Sequence, residues 1–103
     1  MSLRFYMVTF DLENSVNRTN EYTKVRNDLK VMVGNANYHA FTKQACIVQT
    51  SKDARAIRDR MAQKLGGNCN ILVVRLRKGF AFKLLDPVAR AQANAILRSI
   101  PAA

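Results

Sequence analysis

Asp11 closes an apolar run, LRFYMVTFDL, and Glu13 follows it on the same alternation. Carboxylates bind Mg²⁺ well, and one or two suffice because the ion keeps most of its waters. Two copies of Asp11 meeting across a dimer axis would make a paired-carboxylate site, and a metal held there would activate water against a phosphodiester. The plainer expectation is a strand-end aspartate that bonds its own loop backbone, as Asp often does. His39 is the single histidine and sits in the run Tyr38-His39-Ala40-Phe41. It has the chemistry of a general base or proton donor. A lone strand histidine is more often a packed or surface residue.

The cations are unevenly spread. Positions 52 to 83 hold Lys52, Arg55, Arg58, Arg60, Lys64, Arg75, Arg77, Lys78 and Lys83, against only Asp53 and Asp59. Arg55, Arg58, Arg60 and Lys64 decorate the outer side of an expected helix. Arg75 and Arg77 alternate onto one face of an expected strand, the face that carries Ile71 and Val73, and Lys78 follows. Long basic side chains so placed suit phosphate contacts. For the helix alone, a solvated face with an i,i+4 pair such as Arg55–Asp59 is an equal reading. Tyr38, Phe41, Phe80 and Phe82 lie near basic residues and would serve as stacking platforms or as core. No Walker motif, G-x-G-x-x-G or nucleophile elbow occurs, which sets those enzyme classes aside.

The elements that must position these residues follow from periodicity. Residues 3–12 read as a strand with Leu3, Phe5, Met7, Thr9 and Asp11 on one face and Arg4, Tyr6, Val8, Phe10 and Leu12 on the other. Both faces are largely apolar, so the strand belongs inside a sheet covered on both sides, the second cover coming from another subunit or an added helix. Residues 13–18 form a polar loop. Thr19 is the expected cap of a helix whose stripe is Tyr22, Val25, Leu29 and Met32, ended by Gly34 in a left-handed conformation.

Residues 36–41 and 45–50 are strand-like, with only Thr42-Lys43-Gln44 to turn between them. Thr50 and Ser51 are candidate caps for the next helix, with the stripe Ala54, Ile57, Met61 and Leu65 and a stop at Gly66-Gly67. Residues 70–77 are a strong strand. The stretch KGFAFKLL reads as a short strand or a loop. Asp86-Pro87 starts a third helix, with Asp as cap and Pro at the first helical position, running Val88 to Ser99.

The order β-α-β-β-α-β is that of a ferredoxin-like α+β sandwich, here with a C-terminal helix. It implies one domain over 1–103, with its core at 3–78 and an appendage at 79–103. A hydrophobic share of 49% is enough for a core of its own. Seventeen Lys and Arg against seven Asp and Glu give a net charge of +10, which attracts polyanions, nucleic acid foremost. Cys46 and Cys69 make no disulfide framework, and one histidine permits no zinc spacing. No apolar run reaches the ~20 residues of a membrane span. A reduced, cytoplasmic protein is the expectation.

The pieces MVTFDLEN, NANYHAF, ACIVQTS, AIRDRM and NILVVRLRKGFAF, in that order over residues 4–83, resemble a small bacterial family labelled SinR-like. That family is similar to the CRISPR-associated protein two family and to the virulence-associated protein D ribonucleases. The resemblance implies a ferredoxin-like subunit that dimerises through its sheet face, with Asp11 at the dimer axis and linked to Mg²⁺. The 87–99 helix would fit the appended segment that embraces the partner. The sequence thus leads to a nucleic-acid-binding homodimer, with a Mg²⁺-dependent endonuclease centred on Asp11 as its catalytic form. A non-enzymatic protein-interaction module (a regulator, a toxin–antitoxin component or a small phage-type inhibitor) is the alternative.

Overall fold

The structure is a computed structural model that describes residues 3–12, 18–42, 44–65, 69–77 and 81–100. Its elements are β1 (Arg4–Leu12), α1 (Arg18–Val33), β2 (Tyr38–Thr42), β3 (Ala45–Thr50), α2 (Ala54–Leu65), β4 (Cys69–Arg75) and α3 (Pro87–Ser99). The four strands form one antiparallel sheet in the order β2-β3-β1-β4. The described residues therefore form an α+β domain with three α-helices. No helix among the described residues is long and apolar enough to cross a membrane.

The alternation of β1 decides how the layers stack. Tyr6, Val8 and Phe10 are buried against Val25 and Leu29 of α1, Ile57 and Met61 of α2, and Cys46 and Val48 of β3. Ile71 and Val73 of β4 join this core from the edge, because they pair with Phe10 and Val8. The other face is covered by α3, whose Ile96, together with Ile100 just beyond it, packs on Ile47. Phe5, Met7, Phe41 and Leu76 pack around that second cluster. So the added helix supplies the second cover expected from the doubly apolar β1, but only over part of the sheet. Leu72 and Val74 of β4 stay 58% and 46% exposed on that face, beside Leu3 at 52%.

Several expected boundaries shift for local reasons. The helix α1 already includes Thr19, so that residue is not its cap. Gly34, with φ of +91°, ends α1 in a conformation that favours glycine. Asn35–Asn37 is then a 3₁₀ turn, and β2 starts at Tyr38 rather than at 36. The Asn37 side chain donates to the Val33 carbonyl at 2.9 Å, which satisfies a carbonyl left over at the helix end. Asp53, not Thr50 or Ser51, caps α2: its Oδ1 accepts from the Ala56 N–H at 2.7 Å. Thr50 instead accepts from the Lys52 N–H. Asp86 caps α3 as expected, accepting from the Ala89 N–H at 2.8 Å with Pro87 in the first turn. Residues 81–84 form neither strand nor helix. Glu13, Gly66, Gly67, Lys78 and Phe80 lie outside the described residues.

Candidate nucleic-acid interface and the Asp11 cleft

Antiparallel register sends the candidate residues to opposite ends of the sheet. Arg4 pairs with Thr50, and Tyr6 pairs with Arg75. The Leu76 N–H donates to the Phe5 carbonyl at 2.8 Å, so the next residue, Arg77, arrives beside Arg4. Lys52 and the first turn of α2, which holds Arg55, follow directly on Thr50. One end of the sheet therefore gathers Arg4, Arg75, Arg77, Lys52 and Arg55, all exposed. None of the five is in an ion pair among the described residues.

The other helical cations behave differently. Arg60 makes two bonds to the Asp28 carboxylate, at 3.1 and 3.4 Å, and so clamps α2 to α1. Arg58 pairs with its neighbour Asp59 at 2.7 Å, both half exposed. Such a surface pair is worth at most about 1 kcal/mol but still offsets the charge. The alternation Arg55–Asp59 expected for a solvated helix is replaced by this adjacent pair. Lys64 is exposed in the last turn of α2, away from the Arg4 end. Arg4 belongs to no motif or cluster in the sequence. What marks it is position: it starts a strand whose antiparallel neighbour ends in Arg75 and Arg77.

Asp11 stands at the opposite end, seven residues along β1 from Arg4, or about 24 Å at strand rise. It pairs with Asn70 of β4. On its other side β3 starts only at Ala45, which pairs with Thr9, so the sheet opens beside Asp11. The Tyr22 hydroxyl reaches this opening from α1 and donates to Asp11 Oδ1 at 3.3 Å. Gln44 Nε2 donates to the same hydroxyl at 3.0 Å. Tyr22 is itself held by its ring packing on Phe10, with centroids 5.5 Å apart. The result is a cleft of about 430 Å³ whose wall includes Thr9, Asp11, Thr42, Gln44, Asn70 and Leu72.

Among the described residues no three His, Cys, Asp or Glu side chains lie close enough to hold a metal. Asp11 is the only acid among the described residues that line its cleft. The described residues of one protomer thus offer a single carboxylate there, and a paired-carboxylate site built from them needs a second copy of Asp11. His39 does not help: it pairs with Ile47, which pairs with Met7, so it lies two strands over and four residues back. That is roughly 17 Å from Asp11 by strand spacing and rise. Its imidazole is held below the ordinary histidine pKa by desolvation. The two residues do not form an acid–base pair within one protomer.

The buried polar groups on the helix-covered face have a structural role. Lys30 Nζ stands 5.2 Å above the Tyr38 ring. The Tyr38 hydroxyl is buried with no hydrogen bond of good geometry among the described residues. Burial, and the Cys46 thiol next to it, raise the Tyr38 phenol above its ordinary range. Burial pushes the Cys46 thiol from 9.0 up to about 12, against smaller lowering effects of Tyr38 and Arg26.

Between those two pH values the unfolded chain sheds a thiol proton that the native chain keeps, so stability falls as pH rises. Below pH 9 the thiol is protonated in both states and contributes no slope. Urea midpoints are expected to drop on raising pH above about 9, and Cys46→Ala removes part of that drop. A midpoint independent of alkaline pH in the parent chain would contradict this burial. No family model, curated protein or solved structure matches the chain.

Proposed function

We propose that the chain acts as a nucleic-acid-binding homodimer. The observation that carries this reading is the gathering of Arg4, Arg75, Arg77, Lys52 and Arg55 at one end of the sheet, exposed and without acidic partners among the described residues. Unpaired cations repel one another, and a phosphate backbone is the counter-charge that relieves this. The net charge of +10 adds long-range attraction. A ferredoxin-like assignment is supported by the strand order β2-β3-β1-β4, with α1 and α2 on one face. Two free thiols suit a reduced, cytoplasmic setting.

The dimer rests on the part of the second sheet face that α3 leaves uncovered. Val74 and Leu3 are exposed there, and Phe5 and Met7 are half buried, while Leu72 faces the Asp11 cleft at the margin of the patch. Burying such a patch in a second copy returns roughly 25 cal/mol per Å² of apolar surface. Asp11 lies on the same alternation as Phe5 and Met7, at the end of this patch. Face-to-face docking would bring two Asp11 carboxylates near the interface, the arrangement a Mg²⁺-dependent phosphodiesterase needs. Asp11 is the one carboxylate that the described residues bring to that site, whereas five described cations form the basic end, so binding comes before catalysis.

Fluorescence anisotropy with a labelled 20-mer at low salt, alongside sedimentation of the free protein, tests both parts. Saturable binding and a dimer mass are expected. No binding at low salt overturns the nucleic-acid reading. A monomer at every concentration overturns the dimer.

A protein-interaction module has one observation in its favour. Val31, Leu85 and Val88 are 77%, 86% and 65% exposed. Val31 and Val88 rim a groove of about 720 Å³ between α1, β2 and α3. Phe82, by contrast, is half buried and packs edge-on against Phe41.

A further inference from the structure

We propose that the Asp11 cleft takes up one unpaired nucleobase bearing an exocyclic amine, with the Asp11 carboxylate accepting from that amine. This rests on the nucleic-acid reading and assigns a base-reading role to the end of the sheet remote from the phosphate contacts.

The described lining of the cleft does not suit a phosphate. No lysine or arginine is among its described lining residues, and the one charged group among them is a carboxylate. A phosphodiester entering alone meets like charge. The same carboxylate is a strong acceptor for a neutral N–H donor.

Its orientation is already set. Oδ1 receives the Tyr22 hydroxyl, and that hydroxyl receives Gln44 Nε2, so the carboxylate is held by a two-step relay anchored in the core. Oδ2 has no partner among the described residues. Asn70 lies directly across the strand pair from Asp11, and it and Gln44, whose Nε2 already bonds Tyr22, give the cleft a polar amide lining. Leu72, 58% exposed, gives the cleft an apolar wall for a ring face. A volume of about 430 Å³ admits one base with room to enter.

The chemistry sets the preference. Cytosine and adenine present an amine to the carboxylate, whereas thymine and uracil turn a carbonyl oxygen toward it at that position. Unpaired bases are needed, because a duplex hides the edge that would be read.

The test compares an all-deoxycytidine and an all-thymidine ten-mer at equal salt in EDTA. Both carry the same phosphates, so the basic end treats them alike. The protein is expected to bind the cytidine oligomer on the order of ten-fold more tightly, within the range of one good base contact. Asp11→Ala brings that ratio close to one. Tyr22→Phe keeps the ring packing, frees the carboxylate and lowers the ratio part of the way, which covers the case in which Asp11→Ala fails to fold. Equal binding of both oligomers by the parent protein, or an unchanged ratio in Asp11→Ala, overturns the inference and leaves nucleic-acid binding standing. A preference that appears only on adding Mg²⁺ also overturns it, in favour of a metal-held phosphate. If neither oligomer binds, the nucleic-acid reading itself fails.

Discussion

Replacing Arg4, Arg75 and Arg77 together with glutamine is expected to weaken nucleic-acid binding about 100- to 500-fold at 0.1 M salt. Each phosphate contact contributes roughly −0.7 (single strand) to −0.9 (duplex) to the slope of log affinity against log salt, so each lost contact costs about five- to eight-fold at that concentration. The three side chains are exposed, and none bonds across the fold among the described residues, so the variant should melt as the parent does. Arg58→Gln is the control. Its guanidinium is already matched by Asp59 at 2.7 Å, and its loss should change affinity little. Isothermal titration or anisotropy at fixed salt reads both. Equal losses for the triple variant and for Arg58→Gln would spread the contact surface over the whole molecule and remove the special role of the sheet end.

The largest effect on stability is expected at Leu29. It is fully buried and comes from α1 into the cluster that holds Tyr6, Val8 and Phe10 together with Ile57 and Met61. Leu29→Ala removes apolar contact and leaves a cavity, at a cost of about 2–5 kcal/mol. A domain of this size has a total of roughly 5–15 kcal/mol, so much of its stability would go. Val31→Ala, two residues on and 77% exposed, should stay within about 0.5 kcal/mol. Urea unfolding of the two variants measures the difference. Similar midpoints would mean that α1 does not pack on the sheet through Leu29.

Much of this fold is readable in the chain because its strands alternate cleanly. Tyr6, Val8 and Phe10 announce one buried face, and the α1 stripe through Val25 and Leu29 announces its cover. Asp86-Pro87 announces α3, and the cap geometry follows from the residue types. The cap of α2 is harder, since Thr50, Ser51 and Asp53 all suit it; the carboxylate of Asp53 simply stands at the right offset from Ala56.

What the chain does not carry is register. Arg4 is an unremarkable residue until β1 is aligned against β4, and then it stands at the centre of the basic end. The same alignment carries Asp11 to the other end, so residues that read as one functional set divide into two. Tyr22 gave no hint of its part beside Asp11, because on the helix stripe it looked like core alone. It is core by its ring and a donor by its hydroxyl. Arg58 and Arg60 looked like members of the phosphate surface, and only the approach of Asp59 and Asp28 withdraws them.

The most direct test of nucleic-acid binding through the basic end is the salt dependence of affinity for the parent protein. Five cations in contact predict a slope of log affinity against log salt of about −3.5 on a single strand to −4.5 on a duplex. A slope near zero, or no measurable affinity at the lowest salt, would contradict it.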